Sequence, residues 1–169
     1  MRYFTFFALI LLAACNSTRE KSSSSNSTAA KENVQHIVFG RYCGMCPRNC
    51  ATMYKVDVAN DRLYIDTTDN FKNDYGKTLS FPSTPAPADK YRIAEEIVSR
   101  IPDSLFLAPN EERFGCPDCA DGCGIFFEIQ TPTYRKYFYI DYQTEQLEGY
   151  MKPFGEYLKK KIGEMDTRR

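Results

Sequence analysis

Two matching cysteine triplets constrain the fold of this chain more than any other feature. Cys43-Gly-Met-Cys46-Pro-Arg-Asn-Cys50 and Cys116-Pro-Asp-Cys119-Ala-Asp-Gly-Cys123 share the spacing Cys-x2-Cys-x3-Cys and lie in different halves of the sequence. A bridge between them would require Cα atoms about 4.4–6.8 Å apart. We therefore expect the two halves to pair so that both loops lie at the same edge or end of a sheet.

A β-hairpin pattern follows each triplet. In the first half, apolar residues alternate over 52–58, a turn follows at Ala59-Asn60-Asp61, and the chain returns over 62–67. In the second half, residues 124–130 and 134–141 are the predicted strands on either side of Thr131-Pro132-Thr133. Residues 34–39 predict one further strand before the first triplet.

A helix is predicted after each hairpin. Asp89 is the expected N-cap of the first helix, and Pro102 ends it. The second helix contains Pro153, which predicts a kink or a restart there. The apolar stripes of the two helices consist of Ile93, Ala94, Ile97, Val98 and Ile101, and of Leu147, Tyr150, Met151, Phe154, Tyr157, Leu158, Ile162 and Met165.

These elements predict a single α+β domain over residues 34–169. Its expected architecture is an antiparallel sheet from two Cys-loop–β–β–α units plus an N-terminal strand, with the helices on one face. The similarity of Leu63-Tyr64-Ile65-Asp66 to Phe138-Tyr139-Ile140-Asp141 favours a repeated unit. Two unrelated Cys-rich turns before ordinary hairpins are the alternative.

The N-terminus has the pattern of a lipoprotein signal peptide. Met1 and Arg2 precede an apolar run over residues 3–12, which is too short for a resident membrane helix. The segment Leu12-Ala13-Ala14-Cys15 resembles a bacterial lipobox. We therefore expect residues 1–14 to be removed and Cys15 to carry the palmitate-type lipid anchor. An ordinary secretory signal with a chance cysteine is the alternative.

A Ser-rich tether is predicted over residues 15–33. The run Ser22-Ser23-Ser24-Ser25 and its polar neighbours have no apolar period, so a solvated coil is expected. Such a coil has a root-mean-square reach of roughly 20–25 Å. Asn16 is not the aspartate that signals inner-membrane retention, so nothing here indicates the inner membrane. For a Gram-negative source, the resemblance to bacterial lipoproteins implies a cell-envelope location at the outer membrane, facing the periplasm.

Three chemistries compete for Cys43, Cys46, Cys50, Cys116, Cys119 and Cys123. Disulfides suit an oxidising compartment, and lipidation of Cys15 leaves an even number of cysteines. The Cys-x2-Cys pairs also have the spacing of a zinc site with four thiolates, or could hold an iron–sulfur cluster, although neither loop matches a ferredoxin run. His36, the single histidine, is expected in a structural role. No metal ligand set is therefore assigned, and zinc is kept as an alternative cofactor.

Redox catalysis is the third interpretation. Phe39-Gly40-Arg41-Tyr42-Cys43-Gly44-Met45-Cys46 looks like a thioredoxin active site, but a strand pattern follows where a helix would be needed to lower the thiol pKa. In the second loop, Asp118 and Asp121 could bind a cation, although Asp and Gly in a tight turn need no ligand.

The composition excludes some classes of function. Lys plus Arg and Asp plus Glu both number 22, with no basic run, which argues against nucleic-acid binding. No Ser-His-Asp set, phosphate loop or carboxylate pair indicates an enzyme. We therefore expect a non-enzymatic binding or structural module of the cell envelope, bound to the membrane through its lipid and to an unidentified envelope protein or ligand. The alternative is a periplasmic thiol-redox or metal protein that acts through the paired Cys loops.

The whole chain resembles the small lipoproteins of the Bacteroidota that have no assigned activity. The resemblance rests on the lipobox, the Ser-rich tether, Cys43-Gly-Met-Cys46 before Met53-Tyr54-Lys55-Val56, and Cys116-Pro-Asp-Cys119-Ala-Asp-Gly. It implies lipid anchoring at Cys15 and transfers no catalytic residue.

Overall fold

A computed structural model describes residues 31, 33–66, 68–69, 71 and 79–166. The predicted signal peptide, Cys15 and all of the tether except Lys31 and Asn33 lie outside these residues, so the expectations about them stay predictions. Within the described part of the chain, no helix is long and apolar enough to cross a membrane.

Six strands form one mixed sheet in an α+β fold. The strands are β1 (His36–Cys43), β2 (Ala51–Asp57), β3 (Arg62–Asp66), β4 (Glu112–Phe114), β5 (Cys123–Gln130) and β6 (Arg135–Asp141). Their order is β3-β2-β1-β5-β6-β4, and all neighbours are antiparallel except β4 and β6. The prediction of a purely antiparallel sheet is therefore wrong. The short, charged segment of β4 has no strand pattern, and it joins the edge through its backbone.

Among the described residues, four helices of four or more residues accompany the sheet: α1 (Ala88–Ala94), α2 (Ile97–Arg100), α3 (Asp103–Leu107) and α4 (Met151–Asp166). The first predicted helix is divided into α1 and α2, and α3 begins directly after Pro102. The expectation that Asp89 is an N-cap is wrong, because Pro87 holds that position and Asp89 lies in the first turn.

Helix α4 begins two residues before Pro153. Gly149 has a φ of +55° and turns the chain just ahead of the helix. Pro153 therefore lies in the first turn, where the backbone N–H groups have no intrahelical partner to lose. Leu147 and Tyr150 precede the helix rather than belonging to it.

The sheet is buried on both faces. Successive side chains along each strand point to opposite faces, and each face packs in its own hydrophobic core. The helix-covered face includes Ile37, Phe39, Tyr54, Phe127 and Phe138 together with buried residues of all four helices. The second face is more aromatic, and Leu79 and Phe81 from the connection after β3 pack against it. Its buried residues are Val38, Tyr42, Ala51, Met53, Phe71, Phe126, Tyr137 and Tyr139.

Candidate functional site

The two Cys loops meet at one end of the sheet. Strand β1 ends at Cys43 and its antiparallel neighbour β5 begins at Cys123, and these two residues are opposite each other in the register. The end of one strand therefore lies beside the start of the other. This adjacency brings loop 1 (residues 43–50) against loop 2 (residues 116–123).

Three disulfides use all six cysteines of the domain. Cys43 and Cys123 link the two halves of the chain, with Cα atoms 4.0 Å apart, slightly closer than the usual range of about 4.4–6.8 Å. The other two bridges lie within one loop each, Cys46–Cys50 with Cα atoms 5.4 Å apart and Cys116–Cys119 with Cα atoms 5.5 Å apart. The thioredoxin-like pair Cys43-x2-Cys46 is thus not a disulfide, since its members bond to different partners, and β2 rather than a helix follows loop 1.

Backbone hydrogen bonds close loop 1 and join it to loop 2. The N–H of Cys43 donates to the carbonyl of Cys50 at 2.8 Å, and the N–H of Gly44 donates to the carbonyl of Gly122 at 3.3 Å. Loop 2 is fixed to β6 because Asp141 accepts a hydrogen bond from the N–H of Cys116 at 3.0 Å. The arrangement holds both loops against the sheet.

Left-handed backbone conformations allow the loops to turn tightly. Asn49 has a φ of 54° in loop 1, and Asp118 and Ala120 have φ values of 67° and 50° in loop 2. Asn and Asp are enriched in this region. Alanine is not, and its presence there costs about 1–2 kcal/mol. Loop 2 therefore carries backbone strain that the surrounding bridges and strands must hold in place.

A cavity of about 130 Å³ lies between the loops. Its walls are mostly apolar, and the ring centroids of Tyr42 and Phe71 are 4.7 Å apart. The Tyr42 ring lies across Gly124 of β5, where a Cβ atom would come 2.5 Å from ring atoms, so glycine is required at that position. The residues that line the cavity are Tyr42, Cys43, Gly44, Cys50, Ala51, Phe71 and Asp118.

Asp118 supplies the one carboxylate among the described residues that line this cavity. Its Oδ1 atom is buried and has no hydrogen-bond partner in the described part of the chain. A buried carboxylate oxygen without a partner is unfavourable. The cavity therefore combines an apolar wall with one concentrated negative charge.

A polar cluster around Glu128 lies on the second, more aromatic face of the sheet, the face that also contributes Tyr42 and Phe71 to the cavity. Glu128 is 4% exposed. Arg135 Nη2 donates a hydrogen bond to the Glu128 Oε2 atom at 2.7 Å. His36 Nε2 lies 3.7 Å from the other carboxylate oxygen, so the single histidine belongs to this cluster and not to the Cys loops. Burial alone would raise the pKa of Glu128, but the neighbouring His36 and the hydrogen-bonded, positively charged Arg135 outweigh it and lower that pKa below its ordinary 4.5.

This lowered pKa makes folding stability depend on pH. The contribution of ionised Glu128 is complete above the ordinary pKa of glutamate, and it is lost as the pH falls through the lower pKa of the folded state. We expect Glu128→Gln to lower the free energy of unfolding by about 1–3 kcal/mol at neutral pH. Urea unfolding should show this difference shrinking as the pH falls below the ordinary pKa of glutamate and through the lower pKa of Glu128 in the folded state. Glu148→Gln, at an exposed position, is the control, and a pH-independent difference for Glu128→Gln would contradict the expectation.

The metal interpretation requires several ligands close together, which can be checked among the residues whose side chains are described. No group of three or more His, Cys, Asp and Glu residues there is arranged to hold an ion. Of the two aspartates expected to be cation candidates, Asp118 lines the cavity, and Asp121 lies in the 3-10 turn Cys119–Asp121.

Sequence reasoning missed the aromatic walls of the cavity. Tyr42 directly precedes Cys43, so the alternation of β1 could have placed it on the second face. Phe71 lies in a polar stretch without a period, so nothing in the sequence pattern indicated its burial at 1% exposure.

Comparisons of the chain with protein-family models, curated proteins and solved structures found no match.

Proposed function

We propose that this chain is a lipid-anchored protein of the cell envelope, and that its folded domain is a non-enzymatic binding or structural module facing the periplasm. The observation that carries the proposal is the Cys43–Cys123 disulfide, which joins two distant parts of the chain. Disulfides of this structural kind persist in oxidising compartments such as the periplasm. The lipobox at Leu12-Ala13-Ala14-Cys15 accounts for how the domain would be delivered there and retained.

The orientation of β1 supports a role for the Cys-loop end in binding. The predicted tether enters the domain near His36, whereas Cys43 lies at the other end of the same eight-residue strand. At about 3.4 Å per residue, the two ends are roughly 24 Å apart. A domain held through its N-terminus therefore presents the Cys loops on the end away from its attachment.

We also propose that the domain consists of two Cys-loop–β–β–α units. Loop 1 is followed by β2, β3 and α1, and loop 2 is followed by β5, β6 and α4. Buried residues of both α1 and α4 pack in the same core, on the helix-covered face. Strand β4, which precedes loop 2, has no counterpart before loop 1, where the longer β1 occupies the centre of the sheet.

Lipid anchoring predicts the behaviour of a Cys15→Ser variant. Without the thiol there is no acyl acceptor, so we expect an unprocessed precursor that lacks acyl groups. Mass spectrometry of the N-terminal peptide measures both properties. Asn16→Ser, which preserves the lipobox cysteine, is the matched control and should be processed normally. A mature wild-type N-terminus without acyl groups would refute the anchoring proposal.

A thiol-redox or metal protein is the second candidate. It is favoured by the Cys116–Cys119 bridge, whose cysteines are both exposed and separated by two residues. Insulin reduction by the purified protein would support redox activity. Free thiols together with bound zinc or iron would support a metal site. Six protected cysteines without metal and without insulin reduction would leave the binding or structural module.

A further inference from the structure

We propose that the cavity between the two Cys loops binds a small organic ammonium ion, with Asp118 as its counter-ion and the rings of Tyr42 and Phe71 as its walls. The inference rests on the proposed function as a binding module and specifies the class of ligand. Neither the lipid anchor nor the disulfide framework by itself requires such a site.

The charge of the cavity selects a cation. Asp118 Oδ1 is buried at the cavity and accepts no hydrogen bond from the described residues. A cation bound there would pair with the carboxylate and offset the cost of keeping it away from water. The carboxylate would repel an anion. A neutral ligand without a hydrogen-bond donor would leave Oδ1 without a partner among the described residues.

The size and lining of the cavity select an organic ion over a metal. About 130 Å³ corresponds to a few times the roughly 30 Å³ that one water occupies in the liquid. Hard cations such as Ca²⁺ require about six to eight oxygen ligands, whereas the walls are mostly apolar and Asp118 supplies the one carboxylate among the described lining residues. Aromatic faces attract ammonium ions, and quaternary ammonium groups are the usual ligands of aromatic cages.

The loops are built so that the carboxylate can reach the cavity. Asp118 has a left-handed backbone, and its carboxylate lies so close to Gly44 that a Cβ atom at residue 44 would overlap it. Gly44 in turn is held beside Gly122 by a hydrogen bond and follows the Cys43–Cys123 bridge. The position of the charge therefore depends on both loops being linked.

Calorimetric titration of the full-length protein, purified in a non-ionic detergent, tests the proposal. Choline is the probe, and 3,3-dimethylbutan-1-ol is its neutral analogue of nearly the same shape. We expect saturable choline binding and at least about tenfold weaker binding of the alcohol, since pairing with the ionised carboxylate and the aromatic faces is lost. Equal affinity for the two probes, or no saturable choline binding, would overturn the proposal.

Three variants distinguish the site from a general effect of charge. Asp118→Asn should weaken choline binding at least about tenfold, and asparagine tolerates the left-handed backbone. Asp89→Asn removes the same charge from an exposed position in α1 and should leave binding unchanged. Gly44→Ala keeps every charge but displaces the carboxylate, so it should also weaken binding. Unchanged binding in either Asp118→Asn or Gly44→Ala would overturn the proposal.

The sequence places Lys72 and Lys77 shortly after Phe71. Choline binding that appears only in a Lys72→Ala, Lys77→Ala double variant would mean that an amine of the chain itself occupies the site, which would also overturn the proposal. The lipid anchor can be tested separately. A refuted anchor at Cys15 would leave the choline result standing, and a failed titration would leave the processing of Cys15 unaffected.

Discussion

Replacing both Cys43 and Cys123 with serine should lower the free energy of unfolding by about 4 kcal/mol, more than the loss of either other bridge. The bridge joins residues 80 positions apart, so it removes much conformational freedom from the unfolded chain. The Cys46–Cys50 and Cys116–Cys119 bridges span only 4 and 3 positions. On the same chain-entropy model, each of them contributes about 2 kcal/mol or less.

Urea unfolding of the three double-serine variants measures this ranking. The two short-loop variants are matched controls, because each also replaces two cysteines and opens one bridge. Equal losses in the free energy of unfolding for all three variants would show that the cross-link between the halves stabilises the fold no more than the two short bridges do. A stable variant without Cys43 and Cys123 would indicate that the β1–β5 pairing alone holds the halves together.

Leu105→Ala should lower the free energy of unfolding by about 2–5 kcal/mol. Leu105 lies in α3, is 0% exposed, and packs in the core on the helix-covered face of the sheet. Truncation removes buried methyl groups and leaves a cavity that the sheet cannot fill. Thermal or urea unfolding measures the loss.

The same short helix offers a matched control at Leu107. This residue is 67% exposed, so Leu107→Ala removes the same atoms from a largely solvated site and should change stability by no more than about 0.5 kcal/mol. Similar losses for the two variants would mean that α3 does not pack on the sheet through Leu105.

The hairpins were readable from the sequence because alternation is a local signal. The pairs β2–β3 and β5–β6 lie where the period-two patterns and the turns predicted them. Strand β4 was not readable, since three residues are too few for a period and its partner β6 lies far along the chain. The break between α1 and α2 was also hidden, because the apolar spacing through Ile97 continues as it would in one helix.

The candidate site was only partly readable. The six cysteines stood out, but six cysteines allow fifteen pairings, and the pairing found here depends on β1 lying beside β5. No local sequence pattern predicts that β1 and β5 are neighbours in the sheet. The partners of Glu128 show the same limit, since Arg135 lies across the β5–β6 hairpin and His36 lies on β1.

The central position of β1 also governs the order in which the chain can mature. Its partner β5 is synthesised much later, so β1 waits with one side open while loop 1 already offers three thiols. Whenever Cys43 is oxidised before Cys123 is present, its partners within its own half are Cys46 and Cys50. Such a bond must be exchanged before the native bridge can form, a process that takes about minutes to hours when it is uncatalysed. Recovery from such a premature bond therefore requires disulfide isomerisation, because further oxidation alone cannot release Cys43 for its native partner.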